Sequence, residues 1–277
     1  EEFKKTVNKM IYALLNNGYI TKIEHKYFLK NGINVDLEKN RLWKDFYEIE
    51  RKVNYSKVFV DYFKESCSNI VEQLKGEKNS LKLFFPEGSP EVALSAYQNN
   101  AFNKILNMIV ANVVKNYLSI YQNPKTKFEI LEIGAGVGGT TKYVIDNICD
   151  KNVKYYFTDI SNYFLNNAKK EYDKFDFIEY SLLDINTDLK RTEFNSKFNI
   201  VISSNVLHNS KNIDKTLIEL NSILSDNGIL IIIDATQELE SLLVSLELKG
   251  GLSNFNDMSN NTDSFFYDTR QWIDAIA

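Results

Sequence analysis

The 277 residues are 44% hydrophobic and 25% charged, ordinary for a soluble globular chain and enough for one large core or a core with a smaller companion. A net charge of −4 offers no general attraction to phosphate backbones or anionic lipid, so no nucleic-acid or membrane partner is expected. No apolar run reaches the ~18 residues of a membrane span, and the only cysteines, Cys67 and Cys149, make neither a zinc spacing nor a disulfide framework, so a cytoplasmic setting is expected.

The first 120 residues predict helices. Phe3, Val7, Met10, Ile11, Leu14 and Leu15 recur at helical spacing up to Asn16-Asn17-Gly18. Leu42, Phe46, Ile49 and Val53 form a second stripe; Phe59, Phe63, Cys67, Ile70, Val71 and Leu74 form a third, stopped near Gly76. His25, within Lys22-Ile23-Glu24-His25-Lys26, reads as a solvated residue. Two prolines make Leu83–Pro90 a loop, and a long helix follows from about Ala101 to Tyr121, with Phe102, Ile105, Leu106, Ile109, Val113 and Tyr117 inward. Pro124 marks the boundary between an N-terminal helical unit, residues 1–122, and a second unit, 123–277.

Beyond it strands alternate with helices. Predicted strands are Phe128–Ile133, Val153–Phe157, Phe177–Tyr180, Ile200–Ser203 and Ile229–Asp234, short apolar runs of the kind covered on both faces. The clearest helix is Asn212–Ser225. The pattern is an α/β, Rossmann-like doubly wound sheet, whose ligands sit beyond the carboxyl ends of its strands.

The first of these strands runs into Gly134-Ala135-Gly136-Val137-Gly138-Gly139-Thr140-Thr141. Glycines between strand and helix let a ligand approach the backbone and leave helix N–H groups facing it. Gly134, Gly136 and Gly139 also satisfy the dinucleotide pattern, with Asp159 a suitable distance on, so an NAD-binding oxidoreductase stands as one reading. Against it, Glu132 just before the glycines would repel a pyrophosphate and suit a cationic or amine-bearing ligand.

The other strand ends carry ordered polar groups. Asp159, followed by Ile160, can accept from both hydroxyls of a ribose; Asp184 can accept from an adenine amine, with Leu182 or Leu183 flanking the ring. The fourth strand ends in Ser204-Asn205-Val206-Leu207-His208 and the fifth in Asp234. Beyond a buried strand, His208 is either a general base or a helix-cap histidine; Asp234, on what should be the neighbouring strand, can orient its ring.

Acid-x-Gly-x-Gly over Glu132–Gly136 resembles motif I of class I S-adenosylmethionine-dependent methyltransferases. Leu83–Ser89, Ala96-Tyr97-Gln98, Phe102-Asn103, Ile130–Thr141, Thr158–Ser161, Asn205–Asn209 and Phe265-Phe266…Gln271-Trp272 together resemble methyltransferase domains embedded in polyketide synthases and hybrid nonribosomal peptide synthetases. The resemblance implies S-adenosylmethionine as cofactor and S-adenosylhomocysteine as product, held by Tyr97, Glu132, Gly134, Ala135, Gly136, Gly138, Asp159, Ile160, Leu183, Asp184, Ser204 and Asn205. It implies an acyl group tethered to the phosphopantetheine arm of an acyl or peptidyl carrier protein, neighbouring megasynthase domains, and the N-terminal helices as lid and acyl tunnel.

In that family the histidine works with an acid after the fifth strand, matching His208 and Asp234, although carbon-methylating members usually carry Glu there. The Asp, and Asn209 where many such relatives have Ala, lean the expected transfer slightly toward the β-oxygen over the α-carbon. No metal is expected, since Asp159 and Asp184 serve the nucleoside. The closing strands of a class I sheet are not visible after Asp234, and a catalytically inactive, structural domain of the same fold is the remaining alternative.

Overall fold

The computed structural model describes residues 3–123, 125–148, 152–187, 189, 194, 197–237, 239–245, 248 and 266–277. Pro124, Cys149, Gly250, Gly251 and Phe265 lie outside the described residues. Contacts divide the chain into two units, Glu1–Ala96 with Glu238–Ser253, and Tyr97–Gln237 with Asn254–Ala277. The division therefore falls before the long helix rather than after it.

The first unit contains α1 (Lys4–Asn16), α2 (Val35–Val53), α3 (Lys57–Ser68), α4 (Ile70–Leu74), α5 (Ser80–Phe84) and α6 (Glu91–Leu94). Asn34 and Ser56 cap α2 and α3 by accepting the Leu37 and Phe59 N–H groups. Phe59, Tyr62, Phe63 and Phe84 form its aromatic centre, with the Phe59 and Phe63 rings 4.5 Å apart. The expected third stripe is interrupted at Asn69, where α3 ends. Leu42, Ile49 and Val53 of the second stripe are exposed.

An all-helical start is also corrected. β1 (Ile20–Ile23) and β2 (Lys26–Leu29) pair antiparallel around Glu24-His25, with Glu24 at φ 54°. A left-handed turn built without glycine or asparagine leaves little trace in the sequence. His25 is exposed at that turn.

The second unit is a five-stranded parallel sheet: β3 (Phe128–Ile133), β4 (Val153–Asp159), β5 (Ile178–Leu182), β6 (Phe198–Ser204) and β7 (Leu224–Ile233), in the order β5-β4-β3-β6-β7. All five predicted strands exist, the first with the expected bounds and the other four with shifted ends. Chain order reverses between β3 and β6, and a doubly wound sheet takes its ligand beyond the carboxyl ends at that switch point.

Helices cover both faces. On one face α7 (Ala101–Tyr121), α8 (Gly139–Ile148) and α9 (Asn162–Glu171) bury Val110, Val114, Ile145 and Leu165 against Ile130, Tyr155, Phe157 and Ile202. On the other, α10 (Ile213–Ile223) and the helix Thr269–Ile276 bury Leu220 and Trp272 against the face of Leu131, Ile133 and Val201.

The long helix has the expected bounds and a different inner face. Asn107, Val110, Ala111, Val114 and Leu118 are buried, whereas Phe102, Ile105, Leu106, Ile109 and Val113 are exposed. A helix apolar on two sides does not declare which side is inward. Here polar Asn107 decides it: its Nδ2 donates to the Tyr97 carbonyl at 3.1 Å, and its Oδ1 accepts from Thr140 at 2.9 Å.

Candidate active site

The glycine loop joins β3 to α8 at the switch point. Gly134, Gly136 and Gly138 have φ of 61°, 57° and 71°, the left-handed region glycine adopts without strain. Their surroundings differ. A Cβ on Gly134 would meet Val206 Cγ2 at 2.5 Å, and one on Gly138 the Tyr172 hydroxyl at 2.7 Å. A Cβ on Gly136 would meet only the Gly134 carbonyl, at 3.8 Å. Gly136 is thus the open position of the loop, while its neighbours let the protein pack.

The loop is tied to the end of β4. Ala135 N–H donates to the Thr158 carbonyl at 2.9 Å, and Gly136 N–H to Asp159 Oδ2 at 2.9 Å. The other oxygen, Asp159 Oδ1, accepts the Ser161 N–H at 2.8 Å. Burial raises the Asp159 pKa, and these backbone donors oppose the rise.

Glu132 is placed differently from expectation. Its side chain is 2% exposed, and Oε2 accepts from the Thr141 hydroxyl and from Tyr155 OH, the latter at 2.5 Å. The carboxylate therefore anchors the first turn of α8, near helix N–H groups, instead of standing open to a ligand amine. Burial pushes its pKa up to about 7, despite the two hydroxyl donors.

Ile160, just past Asp159, is 71% exposed. Leu182, the strand partner of Asp159, is 55% exposed, whereas Leu183 is buried among Leu131, Ile133 and Tyr156. Successive residues at a strand end point to opposite sides, so Leu182 takes the exposed role expected of Leu183, and Leu183 is core. Asp184 is exposed, with Oδ1 accepting the Asn186 N–H at 2.8 Å.

Beyond β6, Asn205 is left-handed at φ 57° and donates its N–H to the Ile233 carbonyl at 2.7 Å; its Nδ2 lies 3.4 Å from Ser204 Oγ. This bend aims the short turn Leu207–Asn209 toward the end of β7. There His208 Nδ1 lies 2.6 Å from Asp234 Oδ1, and His208 N–H donates to Asp234 Oδ2 at 3.0 Å. The Asp234 side chain is 2% exposed and that of His208 16%. The reach of Asp is sufficient.

The Phe266 ring stands edge-on to the imidazole, 5.3 Å between centroids. Tyr97, partly buried, feels the Asp234 charge, and burial with that charge pushes its phenol up to about 12. Val206, Thr141 and Tyr155 are members of this constellation to which sequence reasoning gave no role; each meets its partner through the fold.

A methyltransferase domain model matches residues 131–230. Among solved structures, the DszA carbon methyltransferase superimposes with a TM-score of 0.89 at 24% identity, over 98% of this chain and 71% of that one. The CurJ carbon methyltransferase gives 0.85 at 24%, over 99% and 72%. The polyketide synthase PksM of Bacillus subtilis is 28% identical over 84% of this chain. The pyochelin synthetase PchF of Pseudomonas aeruginosa is 27% identical over 79%. The chain spans only 6% and 12% of those two proteins.

Residues 131–230 match a methyltransferase domain, a chemistry whose cofactor here is S-adenosylmethionine. The methyltransferase crevice suits that cofactor. Gly136 leaves space at the loop, and the Asp159 carboxylate, which accepts from the Gly136 and Ser161 N–H groups, keeps capacity for hydroxyls. Ile160 and Leu182 offer exposed apolar sides at adjoining strand ends. Among the described residues no group of three or more His, Cys, Asp or Glu could hold a metal ion, and no helix is long and apolar enough to cross a membrane.

Proposed function

We propose that this methyltransferase works within a polyketide or nonribosomal peptide assembly line, on an acyl group held as a thioester on the phosphopantetheine arm of a carrier protein. Support comes from the relatives, which are polyketide synthases and a pyochelin synthetase. The observation that carries the chemistry is the His208–Asp234 pair beside the glycine loop.

S-adenosylmethionine supplies, when bound, a methyl group already activated on a sulfonium. The protein's tasks are then to align the acceptor and take its proton. In our reading Asp159 holds the ribose hydroxyls, Asp184 the adenine amine, Ile160 and Leu182 flank the ring, and Gly134, Ala135, Gly136 and Gly138 admit the amino-acid part. Tyr97, Ser204 and Asn205 border the same crevice from their strand and helix ends. Glu132 supports the loop from beneath.

His208 is the general base. Asp234 accepts the Nδ1 hydrogen, which leaves Nε2 to receive the acceptor's proton, and its charge stabilises the imidazolium that forms. The proton then leaves to solvent. A short Asp234 reach was one reason to lean toward oxygen, and at 2.6 Å that reason falls away. The α-hydrogen of a β-ketoacyl thioester is far more acidic than an alcohol, so a lone imidazole suits it better. We therefore favour the α-carbon.

The test is intact-protein mass spectrometry of carrier proteins loaded with β-keto or β-hydroxy acyl arms, with tandem fragmentation to locate the methyl. A one-methyl gain at the α-carbon of the β-keto arm is expected. A methyl on oxygen overturns the choice of atom. No gain on any arm, with S-adenosylhomocysteine bound, returns the inactive-domain reading; NAD binding in its place returns the oxidoreductase.

A further inference from the structure

Asn209 follows His208 directly and is exposed. Its Nδ2 lies 3.1 Å from His208 Nε2 and donates to the Val206 carbonyl at 3.2 Å. The second contact fixes the amide's orientation, because only the NH2 end can serve a carbonyl. The other hydrogen of that NH2 then meets Nε2, which must be the unprotonated, accepting nitrogen.

At the opposite end of the ring, Nδ1 faces Asp234 and carries the hydrogen. Both ends thus specify one tautomer. Phe266, the aromatic neighbour of the ring, offers no polar atom to Nε2. Among the described residues, Asp234 faces the ring directly, and Tyr97 is coupled to Asp234 by its charge.

We propose that Asn209 is a positioning residue, whose amide covers the Nε2 lone pair of the Nδ1–H tautomer that Asp234 sets, until the acceptor's acidic hydrogen displaces it. The proposal rests on the reading of His208 as base. Once the acceptor's proton reaches Nε2, the ring N–H and the amide NH2 are two donors facing each other. The contact cannot persist, so Asn209 is a neighbour of the resting base and not of the imidazolium. Replacing the amide by a carboxylate of the same shape reverses this preference. Removing it uncovers the lone pair.

The test is ring-nitrogen NMR at neutral pH, simple because the chain has only two histidines and H25Q identifies the other signal. In the wild type we expect His208 protonated at Nδ1, with Nε2 unprotonated and shifted by an accepted hydrogen bond. N209A keeps that tautomer, and its Nε2 signal moves to the position of an unbonded imine nitrogen. N209D is protonated at both nitrogens.

In methyl transfer, N209D loses about 10²-fold in kcat, while N209A loses distinctly less. A merely structural residue would make both variants fail alike. Wild-type and N209A Nε2 signals at one position, or N209D unprotonated at Nε2, would overturn the proposal. These signals need no substrate, and S-adenosylhomocysteine binding checks that each variant is folded. Undiminished transfer by H208A would instead remove the base reading and leave the ring contact standing.

Discussion

His208 Nδ1 and Asp234 Oδ1 lie 2.6 Å apart across the ends of β6 and β7, neighbouring parallel strands whose chain connection runs through α10. Asp234 also accepts the His208 and Ala235 N–H groups, so its carboxylate is fixed before any substrate arrives. D234N keeps the volume but turns an NH2 toward at least one of the three donors. We expect S-adenosylhomocysteine affinity near wild type and transfer lowered by about 10²–10⁴, with partial recovery in D234E. H208A should match D234N. Calorimetry and product mass spectrometry check the pair, and normal turnover by D234N would refute its role.

The glycine loop separates packing from ligand access. G134A combines a left-handed residue with a clash on Val206, while G136A has the first strain alone, about 1–2 kcal/mol. Thermal denaturation should rank G134A as the less stable, with V206A restoring part of the loss in the double variant. G136A should fold and bind S-adenosylhomocysteine more weakly, because its methyl fills the open position. Equal stability of the two alanine variants would contradict this division.

The five strands were legible because parallel strands covered on both faces are short apolar runs, and the loop because positive φ selects glycine. What the sequence did not declare is set by partners remote in the chain. Glu132 looks ligand-facing until Tyr155 and Thr141 are brought to it. The inner face of α7 is chosen by Asn107 bonding Tyr97 and Thr140, against a second apolar stripe of equal strength. Leu182 and Leu183 are equivalent by composition, and only the pairing of Asp159 with Leu182 assigns their directions.

That pair gives a third prediction. L183A removes a side chain buried beneath the β5 end and should cost ~2–5 kcal/mol of stability, leaving cofactor affinity in the folded fraction unchanged. L182A should leave the melting temperature nearly unaltered and weaken S-adenosylhomocysteine binding severalfold. Chemical denaturation beside calorimetry separates the two. Weakened binding by L183A alone would return the ring contact to Leu183.

Glu132 gives the pH dependence. Burial raises its folded-state pKa from an ordinary 4.5 to about 7, so the folded protein holds a proton that the unfolded chain releases. The stabilisation from that proton is complete below about 4.5 and is lost as pH rises through about 7. Its size is on the order of 3 kcal/mol. E132Q removes the titrating group while keeping an oxygen for Thr141 and Tyr155. Between pH 5 and 8, wild-type stability should therefore decline relative to E132Q, most steeply between about 4.5 and about 7 and levelling off above that. Parallel stability curves for the two proteins across that range would show that the Glu132 carboxyl titrates no differently folded than unfolded.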